Sequence, residues 1–425
     1  MSLTVRILLG LALGLAVGIT LAALDPPWLD AVVDGAQTVG SLWLDALRMT
    51  ILPLVFALLV TSIASAAGTM RAGGAAARAL ALFAVLLVLA GAFSALVSPL
   101  ILELWPVSAE SSRALLAGAG GADVPDPPPT SEWLRSLVPS NVVKSAADGN
   151  LAPVVIFALV FALAATRAPR VQTERLTGFF EAVASTMLVI VGWVLWAAPF
   201  GVFALSLVLG ARTGLQAVGT LGQYVAVVSI VLILLTLLMY LVGWLGGRVP
   251  LGRFTAAMAP VTGLAFSTQS SLACLPAMVV ASGRIGVPER ITGLVVPMAV
   301  SLFRVTSPAG NVAVAFYVAQ LHGIELGLPQ IIAGVLMAAT VSVGLVGLPS
   351  ALTFFTSLGP IFITMGVPLD TLPLLLAVEA LPDIWRTVGN VTGHVASAAV
   401  VARGEEDQDP PPLAGEVARS AGGGA

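Results

Sequence analysis

Glu379, Asp383, Arg386, Asn390 and His394 follow one another at intervals of 4, 3, 4 and 4 residues through the otherwise apolar stretch 372–402. At about 100° per residue, all five fall within roughly 80° of one helix face. A guanidinium in such a stripe recognises carboxylates, an acid recognises a cation, and Glu379 or His394 can carry a proton. About 20 apolar residues span a bilayer, and Arg386 lies near the middle of this stretch, where an unpaired charge costs at least about 2.5 kcal/mol. The stripe must therefore face protein or water. It is either a network pinning this helix to its neighbours or the wall of a substrate or ion path.

The elements that must position these residues are set by composition. The chain has 425 residues, 58% of them hydrophobic and only 10% charged, with a mean hydropathy of +1.02. That excludes a soluble globular protein and leaves an all-α polytopic membrane protein. Long apolar runs at 51–67 and 225–245 lack the period-2 alternation of a membrane barrel. No basic patch points to nucleic acid. Cys274 is the only cysteine, which rules out an intramolecular disulfide and a cysteine-based zinc site. The opening apolar stretch, with Arg6 near its start, has signal-peptide features but precedes many further spans and is assigned as an uncleaved first helix.

Helices are expected near 3–24, 36–68, 75–105, 151–167, 174–208 and 217–246. Basic and acidic linkers alternate between them, and the positive-inside rule puts both termini in the cytoplasm. Residues 106–150, with Pro125, Pro127, Pro128 and Pro129, form an external loop. The acidic, Pro- and Gly-rich segment 404–425 reads as a disordered cytoplasmic tail. Beyond Arg253 the apolar segments are interrupted: Ser267-Thr268-Gln269-Ser270-Ser271 breaks 253–283, and Gly344, Gly347, Pro349 and Ser350 break 330–366. Each reads as a re-entrant hairpin followed by a full span, at 290–319 and 372–402. Two such interruptions in corresponding positions are the mark of a transporter's midplane site. His322, beside Gly323, is placed in a loop with no role.

At these residues the chain resembles the glutamate transporter family, the dicarboxylate/amino acid:cation symporters. The resemblance runs from about Gly35 to Ala402. It is carried by Leu47-Arg48-Met49-Thr50-Ile51-Leu52-Pro53, by Leu137-Val138-Pro139-Ser140-Asn141, by Ala198-Pro199-Phe200-Gly201 and, most specifically, by Asp383-Ile384-Trp385-Arg386-Thr387-Val388-Gly389-Asn390-Val391-Thr392-Gly393. It implies eight transmembrane helices plus two re-entrant hairpins, built as inverted repeats and working as an elevator in a homotrimer within the lipid bilayer of the inner membrane. Residues 1–74 and 151–210 would be the scaffold (helices 1–2 and 4–5). Helix 3 at 75–105 and residues 211–403, carrying helix 6 and the two hairpins, would be the transport domain.

The same resemblance implies roles. Arg386 would bind the substrate's side-chain carboxylate, with paired donors that lysine lacks. Asp383 would take the substrate's amino group or else serve as Arg386's own partner, and Thr387 and Asn390 would be polar contacts. Ser270 and Ser271 would hold the α-carboxylate at the first hairpin tip, where the family's third serine is Leu272 here, and Gly347 belongs to the second tip, the outer gate. An Asp383–Arg386 pair favours aspartate or glutamate over a plain C4-dicarboxylate. Pro382 and Trp385 flank the site and narrow it.

The sodium positions depart from the family. Its Asn-Met-Asp-Gly-Thr is Phe303-Arg304-Val305-Thr306-Ser307 here, its last-helix aspartate is His394, and its Tyr-x-x-Thr-Ser is missing from 83–93. Phenylalanine and valine offer no side-chain oxygen, and imidazole prefers softer metals. These losses argue against sodium and leave proton coupling or no coupling cation. Arg304, Glu379, His394 and Ser307 are the candidates for coupling and charge compensation, with Arg304 a fixed cation in place of the sodium-organised centre. No organic cofactor or bound metal is implied. The leading expectation is a secondary active transporter of an acidic amino acid or C4-dicarboxylate. A non-pumping exchanger, anion channel or ligand sensor is the alternative. Without an HExxH or GxSxG motif, an intramembrane enzyme has no support.

Overall fold

The computed structural model describes residues 3–70, 74–108, 140–147, 151–213, 216–344 and 350–406, together with 112 and 116. Most of the expected loop 106–150, the tail from 407 and the second hairpin's tip, with Gly347, lie outside them. The described chain is helical throughout. In order it forms α1 (Leu3–Leu24), α2 (Leu29–Met70), α3 (Gly74–Leu104), the short α4 (Val142–Ala147), α5 (Leu151–Ala165), α6 (Arg170–Trp196), α7 (Ala198–Thr213) and α8 (Gln216–Leu241), whose last turn, Val242–Gly246, is π-helical. Then follow α9 (Leu251–Thr268), α10 (Leu275–Ile285), α11 (Glu289–Leu302), α12 (Thr306–Leu321), α13 (Leu328–Gly344), α14 (Ser350–Met365), α15 (Leu372–Val378) and α16 (Ala380–Glu406).

Among the described residues four stretches are long and apolar enough to cross a membrane: Gly74–Leu104, Arg170–Val194, Val218–Gly246 and Glu289–Leu321. The helix–break–helix form expected at 253–283 is present as α9 and α10, with Gln269 in the left-handed conformation (φ 50°) ending α9. The segments α13 and α14 flank the second break. Gly404 to Glu406 extend α16 rather than starting an irregular tail.

Three expected single helices are broken. The run 174–208 divides into α6 and α7 around Ala197, because Pro199 has no N–H to offer Leu195. The span over 290–319 is opened at Phe303, which is extended (φ −124°, ψ 95°) between α11 and α12. The last span divides at Glu379, where Pro382 cannot donate to Val378.

Of the elements before α8, α1, α2, α5, α6 and α7 pack largely on one another, with α2 against α5, α6 and α7, whereas α3 lies mainly against α12 and α13. Gly10, Gly14 and Gly18 recur every four residues on α1, and a Cβ at any of them would run into α7 backbone at Pro199, Phe203 or Leu207. This is the small-residue packing that membrane helices use in place of a hydrophobic drive. Phe56, Phe161 and Phe180 cluster beside it, with centroids 5.4 to 6.0 Å apart. In the rest of the chain α16 is the hub, touching α3, α8, α9, α10, α11, α12 and the π turn. Gly389 and Gly393 leave room on α16 for the broken segment, since a Cβ would meet Thr306 at one and Val305 at the other.

Candidate functional site

The break before α16 and the break between α11 and α12 face each other and enclose a cavity of about 20 Å³, room for about one water. Glu379, Asp383, Arg386 and Asn390 line it from the last helix. Arg304, Thr306, Ser307 and Asn311 line it from the opened segment, and Phe354 and Ser357 of α14 close it. Four of the five residues of the polar stripe thus meet Arg304 and Ser307 at one place.

Arg386 is fixed by two partners. Its Nε donates to Glu379 Oε1 at 2.9 Å, and its Nη1 donates to Asn311 Oδ1 at 3.2 Å. Glu379 Oε2 accepts from the hydroxyl of Tyr224 at 2.5 Å. Tyr224 is fully buried and packs edge-on against Tyr317 at 5.4 Å, whose own hydroxyl donates to Thr220 O at 2.7 Å. The guanidinium lies over Gly310, where any Cβ would overlap it. Arg386 therefore pairs with Glu379, seven residues back, and not with Asp383, three residues back as the spacing allows. The reason is directional: Glu379 lies about two turns before Arg386 on the same face, and helical side chains lean toward the N-terminus, so the long guanidinium reaches back along the helix to that carboxylate. Asp383 instead lies within electrostatic reach of Arg304, itself half-buried and also within reach of Arg386.

The opened segment is held by the helix opposite. Thr306 N donates to Asn390 Oδ1 at 3.1 Å, and Thr306 Oγ1 donates to Arg386 O at 3.0 Å. His394 Nε2 lies 2.7 Å from Phe303 O. A carbonyl only accepts, so this nitrogen carries the proton. The Phe303 ring stacks on Phe83 of α3 at 4.5 Å with an interplanar angle of 8°, and its other neighbour is the His394 ring at 6.0 Å. The positions that differ most from the family pattern are thus filled by an aromatic stack and an imidazole–carbonyl bond.

Other expected residues sit outside the cavity wall. His394 is fully buried beyond it, and Thr387 turns its hydroxyl to Asp383 O at 3.1 Å. Ser270 and Ser271 lie half-buried at the hairpin tip, where Ser270 Oγ accepts from Ala273 N at 3.3 Å. That tip reaches the start of α16 through Gln269 Nε2, 3.5 Å from Ala380 O. Trp385 packs edge-on against Phe266 of α9. His322, assigned no role from the sequence, is tied down: its side chain is 3% exposed and sits 3.2 Å from Asp370. Tyr224, Asn311, Gly310 and Ser357 were not singled out by the sequence. Only Asn311 carried a signal, a buried amide directly before the largely apolar run Val312–Ala319.

The sequence matches the sodium:dicarboxylate symporter family over residues 3–404. It is similar to a proton/glutamate-aspartate symporter of Escherichia coli (strain K12), 28% identical over 96% of this chain and 94% of that protein. It is similar also to a C4-dicarboxylate transport protein of Rhizobium etli, 25% identical over 91% of this chain and 86% of the other. The human neutral amino acid transporter B(0) is 31% identical over 93% of this chain and 78% of its own length. With its family pattern running from the first helix to the last, this chain belongs to the sodium:dicarboxylate symporter family.

Proposed function

We propose that this protein is a proton-coupled symporter for an acidic amino acid or C4-dicarboxylate, and that Glu379 is its proton carrier. The observation that carries the reading is the Glu379–Arg386 pair at the cavity wall. A carboxylate of the protein occupies the guanidinium that would receive the substrate's carboxylate. When the substrate takes Arg386, Glu379 keeps only Tyr224 as a donor and sits beside Asp383 and an incoming anion. A buried carboxylate deprived of its cation takes up a proton from solvent. Substrate and proton thereby enter together, and Glu379 returns to Arg386 when both have left. The groups facing Glu379 are Asp383 and Arg386 of α16, Tyr224 of α8, and Arg304 and Asn311 of the opposing segment.

His394 serves as a structural donor in this reading, because its Nε2 proton is committed to Phe303 O. Sodium has no role in this reading: Phe303 and Val305 bring no side-chain oxygen, Phe303 O is taken by His394, and the stack of Phe83 on Phe303 occupies the space with carbon. Arg304 supplies the positive charge at the opened segment. The wider architecture, eight spans and two hairpins with the transport domain moving as an elevator in a homotrimer, is the family expectation; the helix–break–helix form of α9 and α10 supports the first hairpin. The test is uptake of labelled aspartate and succinate into proteoliposomes under an imposed proton or sodium gradient at matched membrane potential. Proton-driven accumulation of either substrate supports the reading, and sodium-driven accumulation overturns it.

A further inference from the structure

We infer that the groove between α3, α8 and the start of α9 is a lipid site, seating one acyl chain of an anionic phospholipid whose phosphate meets Arg248. It lies apart from the cavity at Arg386 and stands whichever substrate is transported.

The groove has a volume of about 740 Å³ and is walled by carbon: Phe93 and Val97 of α3, Leu234, Leu237 and Leu241 of α8, and Leu251 of α9. Its polar side chains are Tyr240 and Thr255, and Tyr240 packs edge-on against Phe254 at 5.1 Å. Each ordered water needs about two to four polar partners, far more than two hydroxyls supply in such a volume. Hydrocarbon fills it without that cost.

The depth of the groove fits a chain entering from one leaflet. Phe93 adjoins Ser94, whose hydroxyl donates to Ala309 O at 2.6 Å, and Thr236, between Leu234 and Leu237, lies against Gly389 of α16. Both contacts put this end level with the start of α12 and with the polar stripe of α16, near the middle of the membrane. At the other end Leu241 leads into the π turn and Leu251 opens α9. The groove therefore runs from mid-membrane to the linker between α8 and α9.

That linker supplies the charge. Arg248 is exposed three residues before Leu251, and its backbone is left-handed (φ 54°), a conformation that glycine adopts freely and arginine seldom does. Arg403 Nη1 donates to Leu245 O at 3.3 Å and to Gly246 O at 3.1 Å, so the carbonyl end of α8, which would repel an anion, is covered by a guanidinium. Residues 182–288 contain no aspartate or glutamate, and the exposed Trp244 marks the interfacial level where headgroups lie. A phosphate at that level meets arginine as paired donors, and basic sites between membrane helices hold anionic headgroups. In the orientation expected from the positive-inside rule, this is the cytoplasmic leaflet.

The test is native mass spectrometry of the purified full-length protein after exchange against equimolar phosphatidylglycerol and phosphatidylcholine with identical acyl chains. The native protein is expected to retain phosphatidylglycerol about fivefold over phosphatidylcholine, the weight of one arginine at an anionic headgroup. Arg248→Gly suits the left-handed turn and removes the charge, so the preference is expected to disappear, while Arg248→Lys keeps it. Leu237→Trp fills the groove, leaves Arg248 in place and is expected to lower retention of phosphatidylglycerol by a similar factor. Equal retention of the two lipids by the native protein overturns the inference, as does a preference that survives Arg248→Gly. A preference lost in Arg248→Gly but untouched in a folded Leu237→Trp protein means a headgroup held at the surface with no seated chain, and overturns it too. Should Leu237→Trp fail to fold, Leu241→Trp takes its place.

Discussion

Arg386 Nε lies 2.9 Å from Glu379 Oε1, so the guanidinium that the family pattern assigns to substrate is held by an acid of its own chain. In the mechanism proposed above, this pair stabilises the empty site and is exchanged for a substrate pair when the site fills. Breaking a buried pair from one side costs about 3–5 kcal/mol, which is why the acid must be neutralised as the substrate arrives.

Glu379→Gln mimics the protonated acid permanently. Substrate binding is expected to persist or tighten and to lose its pH dependence, while accumulation driven by a proton gradient disappears and exchange of internal for external substrate continues. Measuring exchange and net uptake in the same vesicles checks this, and net proton-driven uptake by the variant would contradict it.

Tyr224→Phe removes one of the two donors on Glu379 without changing volume. A hydrogen bond to a charged group contributes about 1.5–3 kcal/mol, and its loss disfavours the ionised acid. Uptake measured against pH should therefore shift its midpoint toward higher pH with little change in maximal rate. A profile that stays in place means the tyrosine only packs.

Gly310→Ala places a methyl group where the Arg386 guanidinium lies. Alanine favours a helix interior over glycine by roughly 0.5–1 kcal/mol, so propensity does not weaken the fold. Binding is expected to fall by about tenfold or more as Arg386 leaves its two partners. Thermal melting and binding read side by side separate the two effects.

His394→Ala leaves Phe303 O, at the opened segment, without its buried donor, a loss of about 1–3 kcal/mol. The melting temperature should drop while uptake keeps its native pH dependence. A flattened pH profile would transfer the proton from Glu379 to His394.

The face of the last helix was legible in the sequence because a period of 3.6 survives in an apolar background, and five polar residues at intervals of 4, 3, 4 and 4 stand out there. The pairing within that face was not. A three-residue spacing favours Asp383 for Arg386, whereas the observed partner is Glu379, two turns back on the same face and within reach of the long guanidinium. Tyr224 stands 155 residues from Glu379 in a helix whose pattern is that of lipid and core, so nothing local marks its hydroxyl. Gly310 matters only through what passes over it. The opening at Phe303 was missed although Arg304, Thr306, Ser307 and Pro308 interrupt the apolar run there, and the residues at 303 and 305, which lack side-chain oxygens, were read for the coupling ion and not for the backbone.

Proton movement on substrate binding tests the central claim most directly. Protein in detergent or nanodiscs is mixed with succinate in a weakly buffered solution containing a pH indicator, beside Glu379→Gln under the same conditions. The account predicts alkalinisation as the native protein binds substrate and takes up protons, and none from the variant at equal occupancy. Binding without proton uptake by the native protein, or equal uptake by the variant, would contradict it.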